Sequence, residues 1–275
     1  MGSGGIPVSG GITGYGTLIG TNLLYSPLLL DAYGHAMARP SVTLGGTAGA
    51  TGFAAAFVKD GDPLTPWKTA ADAGAHTLTI DLGAAFTVYG VVLIGHNLTE
   101  TGITSALLEG GSSAACGDVS QALTINADTL TPAYHLLATP LSRRYWQIVI
   151  TPAASMAIQI GEAFLIGAPP LAFSTNYAYG HSDIEEIGKR SSAGLAGVTR
   201  VTAQWVRRVI GGMAFHGASV AQRDAMVAAA RNGHVVFSPD GVNGPALFGT
   251  WTNNSISPTY VDQCSIEATF EECPR

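Results

Sequence analysis

Lys59 to Gly83 reads KDGDPLTPWKTAADAGAHTLTIDLG, an acidic turn, a lone tryptophan and an alternating strand in succession. In Asp60-Gly61-Asp62-Pro63 the glycine supplies backbone freedom, the proline fixes φ, and each aspartate accepts hydrogen bonds from nearby backbone N–H groups. Two carboxylates and the Thr65 hydroxyl therefore share one tight loop. From Thr77 to Leu82, the residues Leu78, Ile80 and Leu82 alternate with Thr77, Thr79 and Asp81, the period of a half-buried strand. Trp67, just ahead of that strand, is expected to close one end of a core rather than to stack on a ligand.

Outward from this stretch, short strands separated by Gly, Pro, Ser and Thr clusters continue to Ile166, among them Val91–Leu98 (VVLIGHNL), Arg143–Thr151 (RRYWQIVIT) and Ile158–Gly167 (IQIGEAFLIG). Helical periodicity is almost absent there, and the spacing predicts an antiparallel sandwich or jelly roll. Trp146 falls in step with Arg144, Ile148 and Ile150, so it too is expected in the core. Gly167-Ala168-Pro169-Pro170 ends the pattern, since consecutive prolines stop a strand and stiffen a connection.

Beyond that break the sequence predicts strands at Leu171–Ser174, Val198–Ile210, His234–Ser238, Ala246–Trp251 and Val261–Phe270. One helix interrupts them. Ser219 and Gln222 form a capping box at its start, Val220, Val227 and Ala230 mark a buried stripe, and Asn232-Gly233 supplies a left-handed stop.

The DGDPxTxW turn followed by TLxIDLG resembles the discoidin family, which includes coagulation-factor C-type domains and galactose-binding-like carbohydrate-binding modules. The strands around Val91, Arg143 and Ile158 continue the resemblance over residues 22–168. What it implies is a mainly β chain: a discoidin-like jelly-roll β-sandwich at 22–168, preceded by a glycine-rich arm at 1–21 and followed by a smaller β-rich domain at 169–275 with one helix near 219–232. The order of strands and helix in the last part, and the GHNL at Gly95–Leu98, resemble proteins of tailed-phage tails and baseplates.

Composition bounds the reading further. The 275 residues are 47% hydrophobic and only 12% charged, about half the usual charge content, which fits extensive burial against other subunits. A formal charge of −6 and the lack of any basic run argue against nucleic acid as a partner. The first 21 residues carry eight glycines and no Lys or Arg, so they read as an arm rather than a signal peptide or membrane span. Cys116, Cys264 and Cys273 form no metal spacing. Reduced thiols made in a cytoplasm are the simplest account, with a Cys264–Cys273 bridge as the alternative.

Two sites are candidates. The discoidin resemblance implies a structural Ca²⁺ held by Asp60, Asp62, Thr65 and Glu162, oxygen donors of the kind calcium takes. The alternative is that both aspartates only cap the turn and Glu162 pairs with a loop donor. Tyr33, His35, His96, Asn97, Tyr134, His135 and Arg143 lie near predicted loops and are candidates for glycan binding, which needs an aromatic face and a few fixed polar groups. His181-Ser182-Asp183 holds triad residue types, but adjacent residues do not make triad geometry, and no nucleophile elbow, P-loop or His-Glu-x-x-His motif is present. The expectation is a non-enzyme: a homo-oligomeric structural protein of a phage tail tip or baseplate, assembled in the host cytoplasm with other tail proteins, or alternatively a lectin-like module recognising a cell-surface glycan.

Overall fold

The computed structural model describes residues 28–31, 41–99, 101–125, 132–172, 182–193, 199–232, 234–238, 246–260 and 263–273. The chain is mainly β. Its strands are β1 (Leu28–Asp31), β2 (Thr43–Gly46), β3 (Trp67–Lys68), β4 (His76–Ile94), β5 (Ile103–Gly111), β6 (Val119–Ala122), β7 (Ala133–Pro152), β8 (Gln159–Ile160), β9 (Glu162–Ile166) and β10 (Leu171–Ala172). After them come β11 (Ser182–Ala193), β12 (Thr199–Ser219), the helix α1 (Val220–Asn232), β13 (His234–Ser238), β14 (Leu247–Tyr260) and β15 (Gln263–Glu272). A 3-10 turn at Ala55–Lys59 leads into the acidic loop.

One sheet runs β2-β4-β7-β5-β6, with β9 also paired to β4, and β3 pairs β8 beside it. The sequence reading separates Thr77–Leu82 from Val91–Leu98, whereas the structure joins most of both in one strand of 19 residues. The pairing of β4 with β7 breaks register between Asp81 and Phe86. Gly83 sits in that break at φ +77°, a conformation that a side chain disfavours. The strand thus turns a corner, as strands do when they pass from one layer of a sandwich to the other.

Before the corner Leu78, Ile80 and Leu82 are buried, as the alternation predicts, and they pack with Trp67, Trp146, Ile148 and Ile150. Both tryptophans are fully buried and lie in the core, as expected of them. After the corner the pattern changes: Val91, Val92, Leu93 and Ile94 are all buried, so both faces of the strand are covered.

The second cover comes from a seven-stranded sheet ordered β10-β1-β13-β14-β15-β12-β11. Its core gathers Phe237, Trp251 and Phe270, whose rings meet at centroid separations of 4.8 to 5.4 Å. Across the seam Val92, Ile94, Phe164 and Ile166 pack on Val236 and Phe248. Each such side chain, once fully buried, contributes about 2 kcal/mol.

Two details depart from the sequence reading. Leu28–Asp31, placed by sequence in the sandwich segment, pairs instead with β10 and β13. A short strand carries no local mark of which distant edge it will join. In α1 the capping box forms, Ser219 N donating to Gln222 Oε1 at 2.8 Å and Gln222 N to Ser219 Oγ at 3.3 Å. The buried residues, however, are Gln222, Ala225 and Met226, while Val220 is 40% exposed. The helix is rotated because the Gln222 amide also donates to the Ala172 carbonyl at 2.9 Å, which draws that face inward. Ala230 lies outside the described side chains, as does Trp205, and the arm at 1–21 lies outside the described residues.

Candidate functional site

The acidic turn is seated on glycine. Pro63 packs so closely on Gly161 that a Cβ there would run into the Pro63 carbonyl, and a Cβ at Gly95 would lie 2.8 Å from the same oxygen. Gly95 opens the GHNL segment and Gly161 precedes Glu162, so two of the motifs carrying the family resemblance build the floor beneath the third. Gly161 N donates to the Ile94 carbonyl at 2.9 Å, which fixes that floor to β4.

On this floor the structure brings the four candidate calcium residues to one place. Glu162 is buried, and its Oε1 accepts from Gly61 N at 2.6 Å. Its carboxyl is pushed up to about 8, first by burial and then by a hydrogen bond and charge repulsion from Asp60. Asp60 Oδ1 accepts from Asp62 N at 2.9 Å, and Asp62 Oδ1 from Leu64 N at 3.0 Å, so both aspartates do cap the turn. Thr65 Oγ1 lies 2.7 Å from Asp60 Oδ2 and 3.0 Å from the Asp62 carbonyl.

The donor set is entirely oxygen, which suits a hard cation, and a divalent charge would relieve the repulsion between the buried Glu162 carboxyl and the exposed Asp60 beside it. Among the described residues no three His, Cys, Asp or Glu side chains converge as a metal cluster. A cation here would rest on Asp60 and Glu162, with Thr65 and loop carbonyls completing the shell.

The candidate glycan residues that the structure describes do not converge. His96 is buried, its Nδ1 accepting from Leu98 N at 3.3 Å. Asn97 spends its amide on the backbone, donating to the Ala157 carbonyl at 2.7 Å and accepting from Gln159 N at 2.8 Å. Tyr134 packs in the seam, where burial raises its hydroxyl pKa and Ser238 shares a hydrogen bond with it. Burial lowers the pKa of its neighbour His135. Arg143 pairs with Asp118 at 3.2 Å, nine residues along β7 from Tyr134 and so up to about 30 Å away. Tyr33, His35 and His181 lie outside the described residues.

A different group does converge. Strand register places Thr43, Asp81, Tyr145 and Gly111 in one row across β2, β4, β7 and β5. The next row on the same face holds Gly45, Thr79, Gln147, Glu109 and Ser120. These are the polar positions of the alternation, opposite the face that Leu78 and Ile80 bury. Thr43, Gly45, Thr79, Asp81 and Tyr145 line a concave cleft of about 290 Å³, with Ala114 and Cys116 also on its wall.

The polar groups of this face are held in place. Arg144 donates through Nε and an Nη to the two Asp81 oxygens at 2.8 and 2.9 Å, and its guanidinium lies 4.7 Å from the Tyr145 ring centroid. That pairing lowers the Asp81 pKa, so the carboxylate is ionised. Glu109 accepts from the Gln147 amide at 2.6 Å. The sequence reading missed Tyr145 because it treats RRYWQIVIT only as a strand; the signal was its place in step with Arg143 and Gln147, off the Trp146 face.

Cys273 is a free thiol, pushed up to about 11 by burial and by Glu272 and Asp62. A bridge to Cys264 is ruled out by position, since nine residues of strand separate them by about 30 Å and a disulfide needs Cα atoms within about 7 Å. No helix among the described residues is long and apolar enough to cross a membrane.

No family model matches this sequence, and no curated protein matches it. Solved structures do resemble it in fold. CpGH89CBM32-6, produced by Clostridium perfringens, shares 13% identity at a TM-score of 0.39, covering 49% of this chain and 99% of its own. A family 32 carbohydrate-binding module from C. perfringens NanJ, in complex with galactose, shares 16% identity at a TM-score of 0.37 over 50% of this chain and 98% of its own. A Ruminococcus gnavus GH29 fucosidase in complex with fucose gives 15% and 0.39, the likeness spanning 49% of this chain and 26% of the enzyme.

Proposed function

We propose that this chain is a non-catalytic carbohydrate-binding protein whose ligand lies on the polar face of the sandwich. The observation that carries the reading is the Tyr145 cleft. It combines an aromatic ring, two threonine hydroxyls and a carboxylate locked by Arg144, the mixture of apolar surface and fixed polar groups that sugar recognition requires. Its size suits one or two sugar rings.

Calcium has a structural part in this proposal. Asp60, Asp62, Thr65 and Glu162 would hold the ion, which would supply the charge compensation that the buried Glu162 lacks beside Asp60. Within the turn, Gly61 N and the Asx bonds orient the carboxylates, and Gly161 sets how closely the loop approaches.

A glycan array probed with the whole chain tests the reading. Binding to a defined set of glycans, reduced tenfold or more by Tyr145→Ala with the melting temperature preserved, is the expected result. A wild-type chain that binds no glycan, or a Tyr145→Ala variant that binds equally well, would overturn it.

A second reading, a structural subunit of a phage tail tip or baseplate, is favoured by the 12% charge content, which fits a surface largely covered by other subunits. Co-assembly of the chain with tail proteins supports that reading, and a stable chain indifferent to them counts against it.

A further inference from the structure

The seven-stranded sheet ends on β11, and among the described residues no strand lies beyond it. The other sheet margins are short: β10 has two residues, β2 four and β6 four. At 12 residues β11 is the longest terminal strand of a sheet among the described residues, a row of backbone N–H and C=O groups of the kind that templates pairing with another strand. Ile184 on it is 51% exposed, unusual for a large apolar residue.

The sequence of this edge is self-complementary in charge. Asp183, Glu185 and Glu186 occupy its first half, Lys189 and Arg190 its second. Within the hairpin, register sets Glu185 opposite Arg208 and Glu186 opposite Arg207, whereas Lys189 and Arg190 stand opposite Gln204 and Ala203. The basic half therefore has no acid across from it in its own sheet.

We infer that β11 pairs antiparallel with β11 of a second copy about a two-fold axis at Ile187, joining two sheets into one. A two-fold axis perpendicular to the sheet keeps each residue on its own face, so only registers centred on a residue are allowed. Centring on Ile187 sets Glu185 directly opposite Lys189 and Glu186 diagonally to Arg190, each twice by symmetry. In this register Ile187 stands opposite Ile187 of the copy, and Ile184 opposite position 190. Pairing with β12 is regular from Ser182 to Arg190 and shifts register only between Arg190 and Ser191, so the residues paired about Ile187 lie within the regular stretch. Charges and a bulge on an edge also serve to blunt it against association. On this edge the two signs are mirrored about Ile187, so the charges attract a second copy in this register.

The inference is independent of any sugar site. Sedimentation analysis of the full chain tests it, with a species of twice the chain mass expected and weakening as salt rises. Replacing Glu185 and Glu186 by Lys, or Lys189 and Arg190 by Glu, sets like charges across the axis and is expected to leave each variant monomeric. An equimolar mixture of the two variants pairs acid with base again and is expected to restore the double-mass species, which shows that both remain folded. A monomeric wild type, an oligomer unaffected by either reversal, or a mixture that stays monomeric overturns the proposal.

Discussion

The two ends of β4 obey different rules although one strand contains both. Residues 77–82 alternate strictly, with Leu78, Ile80 and Leu82 in the core and Thr79 and Asp81 on the cleft face; residues 91–94 are buried on every side. The first end belongs to a sheet covered on one face, the second to a sheet covered on both, because the seven-stranded sheet seals it through Phe164 and Phe248. The difference separates an open polar face, which we propose as the binding face, from a sealed one that holds the molecule together.

The largest effect is expected in the shared core. Trp146→Ala removes a fully buried indole and is expected to cost about 3–5 kcal/mol in urea unfolding, whereas a loss under about 1 kcal/mol would show that the core tolerates a void there. Phe164→Ala acts on the sealed end instead. It is expected to cost about 3 kcal/mol and to split one calorimetric transition into two as the sheets unfold separately.

The acid pair gives a pH signature. Glu162 has a folded pKa of about 8 against an ordinary 4.5, so without metal the folded state keeps a proton that the unfolded state releases. Stability contributed this way is complete below pH 4.5 and is lost as pH rises through 8. Thermal unfolding of metal-free protein should show that decline, and Glu162→Gln should flatten it. Added Ca²⁺ is expected to raise the melting temperature most near pH 8, where it no longer competes with a proton; no shift at any pH would remove the metal from the account. Gly161→Ala, which lifts the turn from Glu162, should reduce that Ca²⁺ response.

Smaller effects test the periphery. Ser219→Ala is expected to cost about 1 kcal/mol, the usual value of an N-cap, and to leave glycan binding unchanged. Thr79→Val on the open face should change stability by less than about 0.5 kcal/mol while weakening glycan binding severalfold. The reverse result would place that face within the packed structure.

Much of this was legible in the chain itself. Period-two alternation fixed which face of Thr77–Leu82 is inward, the mass of Trp67 and Trp146 sent them to the core, and Ser219 with Gln222 marked where the helix starts. Asp60, Asp62 and Thr65 were readable as one turn, whereas Glu162 was linked to them only through the discoidin resemblance. What local pattern cannot convey is which distant edges meet. That Leu28–Asp31 joins the C-terminal sheet, that Val91–Ile94 is covered twice, and that Asn97 is consumed by Gln159 all depend on contacts far apart in sequence. The Tyr145 row has the same origin. Four residues from four strands become neighbours only once register is set, because register depends on the packing of whole strands and not on any one of them.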